Sequence, residues 1–180
     1  MRDITFKIVC GILILLTFVG FLFACSKKQE ATKKNVALQM SKGFDCTANV
    51  NWNGKTYIVK INRPAPGLCS MSFTKPEELS ALSFVLDGDG FKVKYGSIEA
   101  SLDPSTLPQT ALFNSVLGAL DASVKPNGLG TGTKDGNVVI SGKTTAGNFN
   151  LQLDKSYKPK SLEIPDLKLV VGFDEFQWLK

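Results

Sequence analysis

From residue 43 onward, apolar and polar residues alternate. Phe44, Cys46, Ala48, Val50 and Trp52 share one parity, and Asp45, Thr47, Asn49 and Asn51 take the other. Period-two alternation predicts a strand with one buried face. Asn53-Gly54 follows, a pair suited to the positive φ angles of a two-residue hairpin turn. The return strand carries Tyr57, Val59 and Ile61 on one face, with Thr56, Ile58, Lys60 and Asn62 on the other. Such a turn sets Trp52 opposite Lys55, and so Val50 opposite Tyr57, Ala48 opposite Val59 and Cys46 opposite Ile61. Apolar meets apolar, so turn and pattern agree on register.

Pro64-Ala65-Pro66-Gly67 turns the chain into a third strand with Cys69, Met71 and Phe73 on its apolar face. Pro76-Glu77-Glu78-Leu79 predicts a short helical turn, with Pro near its first position and acids near its N-terminus. Strands over 82–86 and 91–95 pair around Asp87-Gly88-Asp89-Gly90, and 97–102 adds a short one. Residues 109–123 break this rhythm: Ala111, Leu112, Val116, Ala119 and Leu120, with Phe113 and Leu117 beside them, have helical spacing. Lys125-Pro126-Asn127-Gly128 ends the helix, and a glycine-rich loop leads to residue 136. Strands over 137–144, 147–154, 160–164 and 167–178 finish the chain. The last alternates Leu167, Leu169, Val171 and Phe173 before reaching Phe176 and Trp178. The expected fold is mainly β (α+β). It is a strongly curved antiparallel meander sheet, or open half-barrel, with one central helix packed on its concave side.

The first 42 residues follow different rules. Arg2 and Lys7 precede a nearly unbroken apolar run from Ile8 to Phe23, then Leu22-Phe23-Ala24-Cys25 and the polar Ser26-Lys27-Lys28-Gln29-Glu30. The run has the length of a secretory signal core or a short membrane span. Leu at −3, a small Ala at −1 and the Cys itself resemble the lipobox of bacterial lipoproteins. That resemblance implies a signal peptide over 1–24, a diacylglyceryl Cys25 as the mature N-terminus, a Lys-rich tether over 25–42 and a β-domain over 43–180. It also implies an extracytoplasmic protein held at the cell membrane by acyl chains, each buried methylene contributing roughly 0.8 kcal/mol.

The 180-residue chain carries 21 Lys+Arg and 16 Asp+Glu, a formal charge of +5. Residues 1–42 hold seven basic and two acidic residues, while 43–180 hold 14 of each. The whole excess sits in signal and tether, so the folded part loses the main support for nucleic-acid binding. The tether lysines suit an anionic membrane surface as well as they suit a solvated linker. There is no histidine, which removes His-dependent triads and His-ligated metal sites. Ser141-Gly142-Lys143-Thr144 resembles the end of a phosphate loop, but Asn137 stands where the first Gly belongs. Asp87-Gly88-Asp89-Gly90 could open a calcium loop, but Lys92 and Ile98 occupy the positions that need Gly and Glu. No catalytic group, metal ligand set or cofactor is expected, and the protein is not read as an enzyme.

Cys46 and Cys69 fall on the first and third strands with the second between them, roughly 9–10 Å apart. That exceeds the span of a disulfide, so free core thiols are expected. The whole layout from 44 to 178, with the Pro-rich Leu102-Asp103-Pro104 to Leu107-Pro108 loop before the helix and Pro159 to Leu167 before the last strand, resembles the LolA/LolB-type lipoprotein superfamily. The resemblance implies an open half-barrel lined by apolar side chains and capped by helices, which in some members carries lipid or acyl chains. The candidate cavity residues are Trp52, Tyr57, Phe73, Phe84, Phe91, Tyr95, Phe113, Phe149 and Trp178. Two functions stay open: a lipoprotein binding a lipid or other apolar ligand, or a non-catalytic interaction or sensor module with a packed barrel. A protein partner is not readable from the chain.

Overall fold

The computed structural model describes residues 29–101 and 108–179. The signal segment over 1–24, Cys25 and most of the Pro-rich loop lie outside them. Eleven strands form one antiparallel sheet in the order β6-β5-β4-β3-β2-β1-β11-β10-β9-β8-β7. Its first half is β1 (Phe44–Trp52), β2 (Lys55–Ala65), β3 (Leu68–Lys75), β4 (Leu82–Asp87), β5 (Gly90–Tyr95) and β6 (Ile98–Ser101). The second half is β7 (Gly130–Lys134), β8 (Asn137–Thr144), β9 (Gly147–Leu153), β10 (Pro159–Ile164) and β11 (Leu169–Trp178). Each half is a meander, and pairing of β1 with β11 joins them. β6 and β7 remain as edges, so the sheet is not closed into a barrel.

Local chemistry explains the first hairpin. Asn53 and Gly54 take φ angles of 51° and 78°, the left-handed pair a type I′ turn requires. The resulting register sets Val50 opposite Tyr57, Ala48 opposite Val59 and Cys46 opposite Ile61, as the alternation predicts. Asp135-Gly136 repeats the device, with φ of 52° and 75°. Here the structure departs from the expected glycine-rich loop: residues 130–134 pair with β8 as the edge strand β7. Gly-Thr-Gly-Thr-Lys has no apolar alternation to announce a strand, and the turn and the ladder specify it instead.

The parity change near the C-terminus is a β-bulge. Asp45 opposes Gln177 and Thr47 opposes Asp174, so Glu175 and Phe176 together face Cys46. Glu175 takes a φ of 49°. The extra residue resets the alternation, and Phe176 and Trp178 reach the interior ring of Phe44.

Among the described residues, two α-helices pack on this sheet. The first, α1, covers residues 29–40, inside the segment expected to be tether. Its Val36 and Met40 lie one helical turn apart and are both fully buried in the common core. Two apolar residues at i and i+4 form one stripe, too short to stand out among seven polar or charged residues.

The second helix, α2 (Pro108–Ala122), runs between the two edge strands in sequence. Its Phe113 meets Phe84 of β4 and Phe91 of β5, and the helix also packs on β8. β4 and β8 stand seven steps apart in the strand order. A flat sheet would separate them by about 34 Å, whereas a 15-residue helix is only about 22 Å long and about 10–12 Å across. One helix can touch both only because the sheet curves around it. The core lies on the concave side, while the convex face carries polar residues such as Thr47, Lys60, Asn62, Ser70 and Ser72.

Candidate functional site

The interior under α2 is an aromatic ladder. Tyr57 meets Phe73 at 5.8 Å between ring centroids, and Phe73 meets Phe84 at 5.9 Å, both edge-on. Phe84 then contacts Phe91 and Phe113, each at 5.9 Å, and Phe91 contacts Phe113 at 5.6 Å. These separations are those of favourable aromatic pairs. Phe73, Phe84 and Phe113 are at most 1% exposed, so the rings fill the space between β2–β5 and α2.

The other expected lining residues divide differently. Phe149 is buried on β9 with its ring over Gly142; a Cβ there would meet the ring at 2.6 Å and Leu129 at 2.9 Å. This close approach explains the glycine of Ser141-Gly142-Lys143-Thr144, which lies within strand β8. Trp178 belongs to a second aromatic group, 4.7 Å from Phe176 and 6.2 Å from Phe44. Trp52 is half-buried at the end of β1. Tyr95 departs from the expectation. It is 54% exposed and faces Ile98 of the edge strand, itself 69% exposed. Its parity matches Phe91 and Val93, but among the described residues nothing covers the sheet at that edge.

The fully buried Arg63 sits on the same face. Its Nε and Nη2 donate to Oδ1 of Asp121 in α2, at 3.0 and 2.5 Å. Its Nη1 donates to the Met40 carbonyl at the end of α1, at 2.9 Å, and the guanidinium lies 5.7 Å from the Phe44 ring centroid. Asp121 Oδ2 accepts the Gly67 backbone N–H at 3.0 Å. One side chain therefore ties both helices to the sheet. Its only mark in the sequence is parity: 63 continues the inward series 57, 59, 61.

Cys46 and Cys69 are free and buried, as the strand spacing predicts. Burial, foremost, pushes both thiols up to about 12. The Asp87 to Gly90 segment is a turn whose carboxylates face an internal cation. Lys92 Nζ lies 3.0 Å from Asp87 and 3.4 Å from Asp89, and this holds the Asp87 carboxyl below its usual range.

Two depressions formed by described residues lie away from the aromatic ladder. One of about 690 Å³ opens on the convex face among Asp45, Thr47, Lys60, Asn62, Ser72 and Glu175. Another, of about 580 Å³, lies beside the end of α2 among Lys125, Asn127, Lys143 and Thr144. Neither is lined by any of the nine aromatic residues.

Solved structures share this architecture. An uncharacterized conserved protein from Thermus thermophilus is similar with a TM-score of 0.50 and 13% identity, over 86% of this chain and 88% of that one. A DUF1329 family protein from Desulfovibrio piger matches with a TM-score of 0.44 and 11% identity, over 82% and 92% of the two chains. A LolA superfamily protein from Nitrosomonas europaea gives 0.42 and 8%, over 85% and 93%. No family model matches the chain, and no curated protein matches it significantly in sequence. The fold is an open antiparallel half-barrel with helices on its concave side.

Proposed function

We propose that the protein is an extracytoplasmic lipoprotein, anchored to the membrane through acylated Cys25, whose half-barrel takes a lipid or another apolar ligand. The observation that carries this reading is the continuous apolar concave face, which α1 and α2 cover while β6 and β7 stay unpaired on their outer sides among the described residues. Its aromatic ladder reaches from β2 to β5, and beyond it Tyr95 and Ile98 are exposed at the rim. With the helix in place the ladder is filled by its own rings, so a ligand enters only when α2 moves outward. The resemblance to LolA/LolB-type lipoproteins supports the same function. The reading includes no catalysis and no cofactor.

A second reading is a packed, non-catalytic interaction or sensor module. It is favoured by the near-zero exposure of Phe73, Phe84 and Phe113. One experiment separates the two. The purified acylated protein is analysed by native mass spectrometry after gentle detergent removal, and tested for displacement of a fluorescent fatty acid. A co-purifying lipid or saturable displacement supports ligand carriage; absence of both leaves the packed module. The anchor is tested by Cys25→Ser, which should abolish acyl labelling.

A further inference from the structure

We infer that α1 is a membrane-docking helix: its outer face lays the half-barrel against an anionic bilayer surface. The inference rests on the lipid-anchor reading of Cys25 and adds to it an orientation.

Three observations converge on this helix. First, its two faces differ. Val36 and Met40 are sealed in the core, whereas Gln29, Glu30, Ala31, Lys34, Asn35 and Leu38 are exposed, with Lys42 just past the helix end. Glu30, Lys34, Leu38 and Lys42 follow at intervals of four, so they rise along one side, as residues spaced by i+4 do. Glu30 is paired with Lys33, and Lys42 donates to Gln39 Oε1 at 2.7 Å while staying exposed. Leu38 is 63% exposed. A large apolar side chain between two lysines suits the level of lipid headgroups, where the methyl groups enter the acyl boundary and the ammonium groups meet phosphates.

Second, the charge is in the right place. On the lipid-anchor reading the chain that remains from Cys25 to Lys42 carries five lysines against Glu30, a net +4, and Lys27 and Lys28 stand just before residue 29 in the sequence. Lys33 is satisfied internally by Glu30 at 3.2 Å, but Lys34 is exposed on the outer side. An anionic surface attracts such residues by about fivefold in partitioning per lysine.

Third, the chain length leaves little choice. Only three residues separate Cys25 from residue 29, where the described helix begins. Even fully extended, four residue steps reach only about 14 Å. A helix starting that close to an acylated residue stays within the headgroup region's reach. Val36 and Met40 fix its inner side to the domain, so α1 meets the bilayer lengthwise, with its outer side. Two lysines and one leucine are weak by themselves; the anchor makes them effective by holding the helix at high local concentration. Arg63 then transmits the position of α1 to β2 and α2, because it bonds Met40 on one side and Asp121 on the other.

The test uses the processed, acylated protein in vesicles of phosphatidylcholine alone or enriched in phosphatidylglycerol, with spin-labelled lipid as a quencher. Asn35→Cys places a fluorophore beside Leu38. Thr145→Cys places a control at the other end of the strands, and the native Cys46 and Cys69 are buried against labelling. Flotation at high salt reports anchoring independently. The expected result is loss of most fluorescence at position 35, not at 145, in anionic vesicles at low salt. Salt or the pair Lys34→Glu and Lys42→Glu should reverse it, lowering the docked-to-free ratio at least about 25-fold by the same per-lysine factor. Protein that floats but shows no quenching at 35, or equal quenching in both lipids, overturns docking alone. Protein that does not float at high salt overturns the anchor and the docking together.

Discussion

The guanidinium of Arg63 and the carboxylate of Asp121 meet at 2.5 Å, on β2 and α2, with Arg63 entirely shielded from solvent and Asp121 about a quarter exposed at 27%. Removing one partner of such a pair leaves a buried charge without compensation. Asp121→Ala is expected to destabilise the protein by about 3–5 kcal/mol. Replacing both groups by apolar ones, Arg63→Met with Asp121→Leu, should recover much of that loss. Urea denaturation of the two variants checks this, and equal stability of both would show that the pair does not behave as a unit.

Met40 and Leu38 test α1 as part of the fold. Met40 is fully buried and Leu38 is 63% exposed, two residues apart. Met40→Ala should cost about 2–5 kcal/mol, while Leu38→Ala should stay within about 0.5 kcal/mol of the parent. Thermal unfolding distinguishes the two, because a solvated tether would make both substitutions silent.

Gly142 is sterically committed. A Cβ added there would meet the Phe149 ring at 2.6 Å and Leu129 at 2.9 Å. Gly142→Ala forces the ring aside in a packed interior, at a cost of about 1–3 kcal/mol. Combining it with Phe149→Leu should restore part of the stability in a double-mutant cycle.

The two thiols set an alkaline limit. Their ordinary value is 9.0, and burial moves them to about 12 in the folded protein. The unfolded chain therefore releases protons first as pH rises. The contribution to stability is full below pH 9 and falls between 9 and 12, by about 1.4 kcal/mol per pH unit for each thiol. Cys46→Ala with Cys69→Ala should flatten that decline even if it lowers stability at neutral pH. In the native state neither thiol should react with a polar thiol reagent at about pH 8, and both should react once unfolded.

Local information carried much of this fold. Alternation and Asn53-Gly54 were enough for the β1–β2 register, because a two-residue turn allows one pairing and apolar faces enforce it. The expected helix over 109–123 corresponds to α2 at Pro108–Ala122, since a wide apolar stripe over four turns has no strand alternative. β7 was not legible, because its glycines and threonines owe their conformation to the neighbouring strand. The aromatic candidates were partly legible: alternation put Phe73 on an inner face and helical spacing put Phe113 beside the apolar stripe of α2, but neither could tell that Tyr95 would stand uncovered at an edge.

By itself the sequence determined the alternating faces, the hairpin turns, the central helix and the concentration of net charge in the first 42 residues. These depend on neighbours within a few positions. Tertiary structure alone decided the burial of Arg63, whose partners are 23 and 58 residues away. It also turned a polar stretch into α1 and brought β1 against β11. A buried charge or a short apolar stripe becomes favourable only when distant groups arrive together to shield it, and no local pattern records that meeting.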